Sequence, residues 1–361
     1  MTKETFEVIK EGLLKDCSNF KAKRLFEISL FDFNNLIVGN GLSKEAEEAL
    51  INQLELDGFL TFVQTVFNQI FVDFMIQGNI RHEKALEFSS LLLKDVFIDG
   101  DTKQDPNLFK VTNNVDLFKV EKMPCIYRSI GSVHPDSCIV YYIQIGDKSQ
   151  MNLTLGVLLE QILSEDFFNT MRTNKQLGYI TAIKNRTFTT HVGLVFIIQS
   201  KYNPDILKDH IEDFIKESME TLLELTQEQF EKMKISVFKK CYQKYDNIQT
   251  LADNQFHNIK AQSYLLTGRN IIANCVDDIT KEMLINFYRE RIFDVDSRKS
   301  MIVQNYSRET NKLSKLENLE NFNGTEVLSF RDLPDSVYTG VDELENLFRK
   351  DFLNTKLSRS L

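Results

Sequence analysis

The feature that most restricts this chain is that it repeats itself. Thr2-Lys3-Glu4-Thr5-Phe6-Glu7 and Thr226-Gln227-Glu228-Gln229-Phe230-Glu231 both read T-x-E-x-F-E at an offset of 224, and each has a cysteine eleven residues after its phenylalanine, Cys17 and Cys241. Further on, Met75-Ile76-Gln77-Gly78-Asn79 aligns with Met301-Ile302-Val303-Gln304-Asn305 at an offset of 226. Two matches in the same order, separated by a two-residue indel, imply a duplicated structural unit.

Each copy reads alike. Thr226 with Gln229 forms a capping box that opens a long helix. More helices follow, ending in 279–292, where Met283, Leu284, Phe287 and Tyr288 share one apolar side. A short strand then closes the unit, at Ser300 to Gln304 in the second copy and Phe74 to Gln77 in the first. Before the second copy lies a strand-rich half: 119–130, 138–145, and a hairpin of 179–186 with 192–200. A helix from Met151 carries Leu155, Leu158, Leu159, Ile162 and Leu163 at helical spacing, and Asn203-Pro204 starts another. No such half precedes the first copy, so the chain reads as truncated at its N-terminus. The expected fold class is therefore α+β, a duplicated unit of antiparallel sheet packed on helices with the first copy incomplete. The expected divisions are 1–106, 107–306 and a polar tail at 307–361, with partial disorder near 311–324.

Composition excludes several functions. The 361 residues carry 43 basic and 52 acidic side chains, a net charge of −9, and no lysine- or arginine-rich run. A nucleic-acid partner needs a basic face, so none is expected. No apolar run approaches the roughly 18 residues of a membrane span, and the charged N-terminus lacks a secretory apolar region. The five cysteines form no C-x-x-C pair, which suits free thiols in the cytoplasm.

Self-sufficient catalytic chemistry is not legible. The five histidines (His82, His134, His191, His210, His257) are never closer than 19 residues, so neither H-E-x-x-H nor H-x-x-E-H exists and no metal site is expected. Ser132-Val133-His134-Pro135-Asp136-Ser137 holds the residue types of a triad, but triad members converge from distant segments, and this stretch reads as a turn. Asp99-Gly100-Asp101 invites a calcium loop, yet that register puts Phe97 and Pro106 at ligand positions.

One corner raises a sharper question. In Met171-Arg172-Thr173-Asn174-Lys175-Gln176-Leu177-Gly178-Tyr179-Ile180, Arg172 lies on the last turns of a helix. Gly178 stands where a helix C-terminus accepts positive φ, and Tyr179 opens a strand. Locally these are a cap and a tyrosine at the edge of the core.

Phe168-Asn169-Thr170-Met171-Arg172-Thr173-Asn174-Lys175-Gln176-Leu177-Gly178-Tyr179 is similar to the F-N-x-L-R-x-x-E-Q-L-G-Y stretch of insulin-degrading-enzyme-type, pitrilysin-like inverted zincins. Gly193-Leu194-Val195-Phe196-Ile197-Ile198-Gln199-Ser200 resembles their G-L-x-F-I-I-Q-S strand, and Gly78-Asn79 resembles the Gly-Asn after the strand of the third domain. The resemblance spans about residues 4–306. It implies four homologous α+β domains paired into two halves that close around a peptide. Residues 1–106 would be the second part of domain three, and 107–306 all of domain four.

The resemblance also implies a zinc metalloendopeptidase degrading short flexible peptides. Its zinc lies in the N-terminal catalytic half, on the same or a separate chain, and none is bound here. Arg172 and Tyr179 would hydrogen-bond the peptide and the oxyanion, with Gln176, Leu177 and Gly178 shaping the corner. Lys175 departs from the usual glutamate, which puts a local ion pair in doubt. The competing reading is a non-catalytic binding or scaffold subunit of a processing-peptidase-like assembly. Neither a nucleic acid nor a membrane is an expected partner, and a dimer is among the assemblies left open.

Overall fold

Caps written into the sequence open the helices. The Gln229 amide donates to Thr226 Oγ1 at 3.2 Å and the Thr226 amide donates to the Gln229 side chain at 2.8 Å, so the capping box forms and α8 (Gln227–Tyr242) follows it. In the first copy the Thr5 amide donates to Thr2 Oγ1 at 3.2 Å at the start of α1 (Lys3–Lys21). The computed structural model describes residues 1–38, 42–68, 72–96, 116–119, 124–131, 134–260 and 268–307. Within these lie α2 (Leu25–Val38), α3 (Lys44–Gln53), α4 (Leu56–Asn68), α5 (His82–Val96), β1 (Cys125–Gly131), β2 (Ser137–Asp147), α6 (Gln150–Phe168), β3 (Ile180–Thr187), β4 (His191–Ser200) and α7 (Pro204–Glu224). After α8 come α9 (Ile248–Lys260), α10 (Gly268–Val276), α11 (Lys281–Tyr288) and β5 (Lys299–Ser307).

The repeat is visible in these elements. A shift of 224 carries α8 onto α1, α9 onto α2, α10 onto α3, and α11 with its following π turn (Arg289–Phe293) onto α4. Lys10 and Lys234, equivalent under that shift, do the same work. Lys10 Nζ donates to the carbonyls of Asn52 (3.0 Å) and Leu54 (2.9 Å). Lys234 Nζ donates to Asp277 O at 3.0 Å. Each lysine thus satisfies carbonyls at the end of the third helix, groups the helix itself leaves unbonded.

Packing does not follow the copies. One compact unit gathers Met1–Ser18, Lys44–Thr112 and Lys244–Leu266; the other gathers Asn19–Ser43, Asn113–Gln243 and Thr267–Leu361. The second helix of each copy is therefore exchanged: α2 belongs to the unit that holds the sheet, and α9 belongs to the other.

The sheet runs β1-β5-β2-β4-β3. Three of its pairings are antiparallel, as expected, but β1 pairs parallel with β5, Cys125 opposite Met301. A parallel pair needs a long crossover, and here residues 132–298, from β2 through α11, supply it. Both faces of the sheet are covered. Cys138, Val140 and Tyr142 of β2, with Val195, Ile197, Met301 and Val303, pack against Leu25, Phe33, Leu36 and Ile37 of α2. The alternate residues face α6 and α7, where Phe167 sits edge-on to Phe196 (5.6 Å) and Phe214 (5.0 Å). This double cover explains why β2 is buried along nearly its full length.

Some expectations fail or fall elsewhere. Residues 72–77 form no strand. A strand needs a partner for its amides and carbonyls, and none of the described residues offers one to Phe74–Gln77. The buried side of the last helix is Leu284, Ile285 and Tyr288, continued by Ile292 of the π turn, while Met283 is exposed. Ser307, expected to begin the tail, ends β5. The calcium-like turn at 99–106 and the tail from 308 lie outside the described residues, as do Ser132 and Val133 of the 132–137 turn. Among the described residues no helix is long and apolar enough to cross a membrane.

A buried histidine makes the fold sensitive to acid. His191 is almost wholly buried at the start of β4, with Nδ1 3.0 Å from Thr190 Oγ1 and its ring against Phe188. Burial pushes its pKa down to about 4, opposed by the nearby Asp116 carboxylate. The unfolded chain takes up this proton near pH 6.5, whereas the folded one resists until about pH 4. Stability is therefore intact above about pH 6.5 and should fall by roughly 3 kcal/mol between there and pH 4. Denaturant titrations across that range should show this slope, and His191→Leu should flatten it.

Candidate functional site

The corner is assembled by α6, β3 and β4. Ser149 caps α6, its Oγ accepting from the Asn152 amide. The helix buries Leu155, Leu158, Leu159, Ile162, Leu163 and Phe167 against the sheet, which fixes where its C-terminus emerges. There the winding widens into a π turn, Asn169–Asn174. The Lys175 amide donates to Thr170 O at 2.9 Å and the Leu177 amide to Met171 O at 2.8 Å. Wide turns of this kind recur at functional sites. This one drives Met171 into the core and leaves Arg172 half-buried beside it.

One sequence expectation is corrected here. The residue with positive φ is Gln176 (51°), not Gly178. Gly178 is required for a different reason: a Cβ there would collide with the Gln199 carbonyl of β4. Leu177, buried, accepts a hydrogen bond from Ser200 Oγ, and the Tyr202 amide donates to that same oxygen at 3.1 Å. Gln176 turns the chain, Leu177 pins it to the end of β4, and Gly178 lets the two backbones touch. Gly178→Ala should therefore destabilise the fold by about 1–3 kcal/mol through overpacking. Chemical denaturation measures this; an unchanged midpoint would show that the corner can yield.

Arg172 and Tyr179 are brought together. The Arg172 guanidinium carbon lies 4.6 Å from the Tyr179 ring centroid and 5.0 Å from that of Phe168, within cation–π range of both. Tyr179 is 79% exposed. Among the described residues, no carboxylate pairs with Arg172 or Lys175, and no hydrogen bond occupies the Arg172 guanidinium or the Tyr179 hydroxyl. Cation–π contacts consume no N–H donor, so the guanidinium N–H groups and the phenol hydroxyl stay free to donate. An unpaired cation beside an unpaired hydroxyl suits an acceptor that carries, or develops, negative charge.

The described residues contain no group of three histidine, cysteine, aspartate or glutamate side chains that could hold a metal ion. The cysteines form no disulfide, and burial pushes the Cys125 and Cys138 thiols up to about 12, so neither is a nucleophile.

With this geometry in hand, comparison with known proteins is informative. A family profile described as PQQ synthase PqqF-like, C-terminal lobe domain 4, matches residues 158–256. The stretch runs from within α6, through the corner, into α9. The bovine (Bos taurus) insulin-degrading enzyme is 25% identical over 309 residues, covering 84% of this chain and 30% of that protein. A Caenorhabditis elegans protein with zinc protease in its name is 24% identical over 294 residues, covering 80% of this chain and 33% of that one. The crystal structure of pitrilysin superposes with a TM-score of 0.76 at 17% identity, over 96% of this chain and 35% of that one. The chain is similar to insulinase-type peptidases, and residues 158–256 are similar to a C-terminal-lobe domain. Its fold is the pitrilysin type, and it spans about a third of the length of the curated relatives it matches.

Phe168 is the site residue that sequence reasoning did not assign. Its spacing of four residues from Arg172 placed it on the same side of the helix, and that was the available signal.

Proposed function

We propose that this chain is the substrate-chamber half of a zinc metalloendopeptidase that degrades short flexible peptides, with zinc and general base supplied by an N-terminal half, on the same or a separate chain. The observation that carries this reading is the unpaired Arg172 guanidinium stacked on the exposed, unpartnered Tyr179. A scaffold has no use for a free cation and a free phenol held side by side. In the proposed complex Arg172 donates in its own plane to a peptide carbonyl, and Tyr179 donates to the oxyanion formed at the scissile carbon. Neither residue moves a proton in this scheme; both stabilise charge. The zinc is assigned elsewhere because this chain's five histidines are dispersed, and zinc sites need three or four converging ligands.

The first copy supports a partner of the same architecture. Val237 and Leu284, at 1% and 0% exposure, correspond under the 224 shift to Leu13 and Leu60, at 43% and 38%. Positions that the second copy buries against its own sheet unit are thus apolar and uncovered in the first. A strand-bearing segment like 125–225 would cover them. Cysteines without a disulfide suit a reducing compartment, and we assign the cytoplasm.

Metal analysis of the purified chain should find less than a tenth of an equivalent of zinc (about an order of magnitude below a resident site). Added to a zinc-bearing half, the chain should confer hydrolysis of a quenched fluorogenic peptide. Tight stoichiometric zinc in the chain alone would refute the division of labour. A complex that forms but never cleaves would favour the scaffold reading.

A further inference from the structure

We propose that Phe168 is a positioning residue, which holds the Arg172 guanidinium in place by stacking and so fixes Arg172 and Tyr179 as one unit. The inference rests on the reading of Arg172 as a substrate donor and adds a residue to it. Phe168 is 38% exposed at the last position of α6, while its neighbour Phe167 is fully buried. Core packing therefore explains Phe167 but not why a large aromatic follows it. The guanidinium carbon 5.0 Å from the Phe168 centroid supplies a reason.

Arg172 needs such a support. An arginine head on a long side chain is normally fixed by an ion pair or hydrogen bonds, and among the described residues this one has neither. Two rings are its polar head's defined neighbours. Tyr179 cannot anchor it, because that side chain is itself 79% exposed and unpartnered. Phe168 can, since it sits on the end of a helix whose preceding residues are locked into the core. The order of support runs from α6 to Phe168, to Arg172, to Tyr179. The π turn contributes by widening the winding just after Phe168, so that residue 172 returns nearly above residue 168 rather than about a ninth of a turn past it.

A residue that acts through Arg172 should matter only when Arg172 is present. In the enzyme formed with the zinc-bearing half, Phe168→Leu should lower kcat/KM on a fluorogenic peptide by about five- to tenfold, in line with a cation–π contact at a half-exposed site. In an Arg172→Ala background the same change should cost less than about twofold, the non-additivity expected of residues acting as a unit. Phe168→Tyr, which keeps the ring face, should restore wild-type values. Equal losses in both backgrounds, or no loss in the wild type, would overturn the proposal. If Arg172→Ala itself leaves turnover intact, the functional reading fails; if it is costly and Phe168→Leu is silent, the positioning role alone fails.

A second measurement needs no activity. In the 361-residue chain, labelled at arginine, the Nε–H resonance assigned by its loss in Arg172→Lys should be shifted upfield by the two rings. It should move toward the position of free arginine in Phe168→Leu and stay in Phe168→Tyr. A resonance indifferent to Phe168→Leu would overturn the proposal even if every kinetic assay gave no signal.

Discussion

Replacing Tyr179 by phenylalanine should lower turnover of the proposed peptidase by about 10² to 10³, the loss typical when one oxyanion donor is removed. The reasoning starts from what the substitution leaves alone. The ring stays, so the 4.6 Å contact with the Arg172 guanidinium is preserved. The hydroxyl satisfies no described group of the protein, so its removal strands no buried partner. Folding stability should change by less than about 0.5 kcal/mol, as for a surface substitution. Under the proposed function what is lost is one donor toward charge that exists only in the transition state, so kcat should fall and KM stay nearly constant. Arg172→Ala differs. In the proposed function its guanidinium engages the bound peptide as well, so KM should rise together with the fall in kcat. Steady-state kinetics on one peptide with both variants separates the two patterns. Full turnover in Tyr179→Phe would return that residue to a packing role.

The parts of this corner that were legible in the sequence are those set by neighbours along the chain. The Thr226–Gln229 box, the Asn203-Pro204 helix start and the stripe from Leu155 to Leu163 are local patterns, and each forms as written. The closeness of Arg172 and Tyr179 was legible too, because the chain must turn between a helix end and a strand start. The manner of the turn was not. Gly178 suggested a left-handed cap, but the constraint on it comes from Gln199, which is distant in sequence and adjacent only once β3 and β4 pair. Gln176 then takes the positive φ that the glycine does not need.

Non-local pairing accounts for the other gaps. β1 and β5 join in parallel across about half the chain, and no periodicity announces a partner that far away. The exchange of α2 and α9 between compact units is equally hidden, since each helix looks like an ordinary member of its own copy. Phe74–Gln77 shows the converse. It reads as a strand because its counterpart, in β5, is one, yet strand structure belongs to a pairing rather than to a segment. With no described partner, the same kind of sequence stays unpaired.

The buried ion pair behind the sheet shows how much rests on such long-range meetings, and it yields the largest stability change expected here. Arg298, only 5% exposed, donates through Nη2 to Glu212 Oε1 (2.9 Å) and Oε2 (2.7 Å), and through Nη1 to Ile292 O at 3.2 Å. Tyr141 completes the group, its hydroxyl donating to Glu212 Oε1 at 2.6 Å. These residues come from α7, β2, the π turn after α11 and the approach to β5, so the cluster ties four elements together. Arg298→Ala would leave the Glu212 carboxylate half-buried without its cation and Ile292 O without one of its donors. Loss of one partner of a buried pair costs about 3–5 kcal/mol, a large share of the 5–15 kcal/mol that typical domains possess. The pair need not be stabilising overall, because two buried charges also lose their hydration. The triple change Tyr141→Phe, Glu212→Leu, Arg298→Met removes every charge and the dependent hydroxyl while keeping apolar volume. It should recover most of that loss. Urea denaturation of wild type, single and triple variants decides the matter: an Arg298→Ala protein as stable as wild type would mean that water reaches Glu212, and the cluster would then be a surface pair.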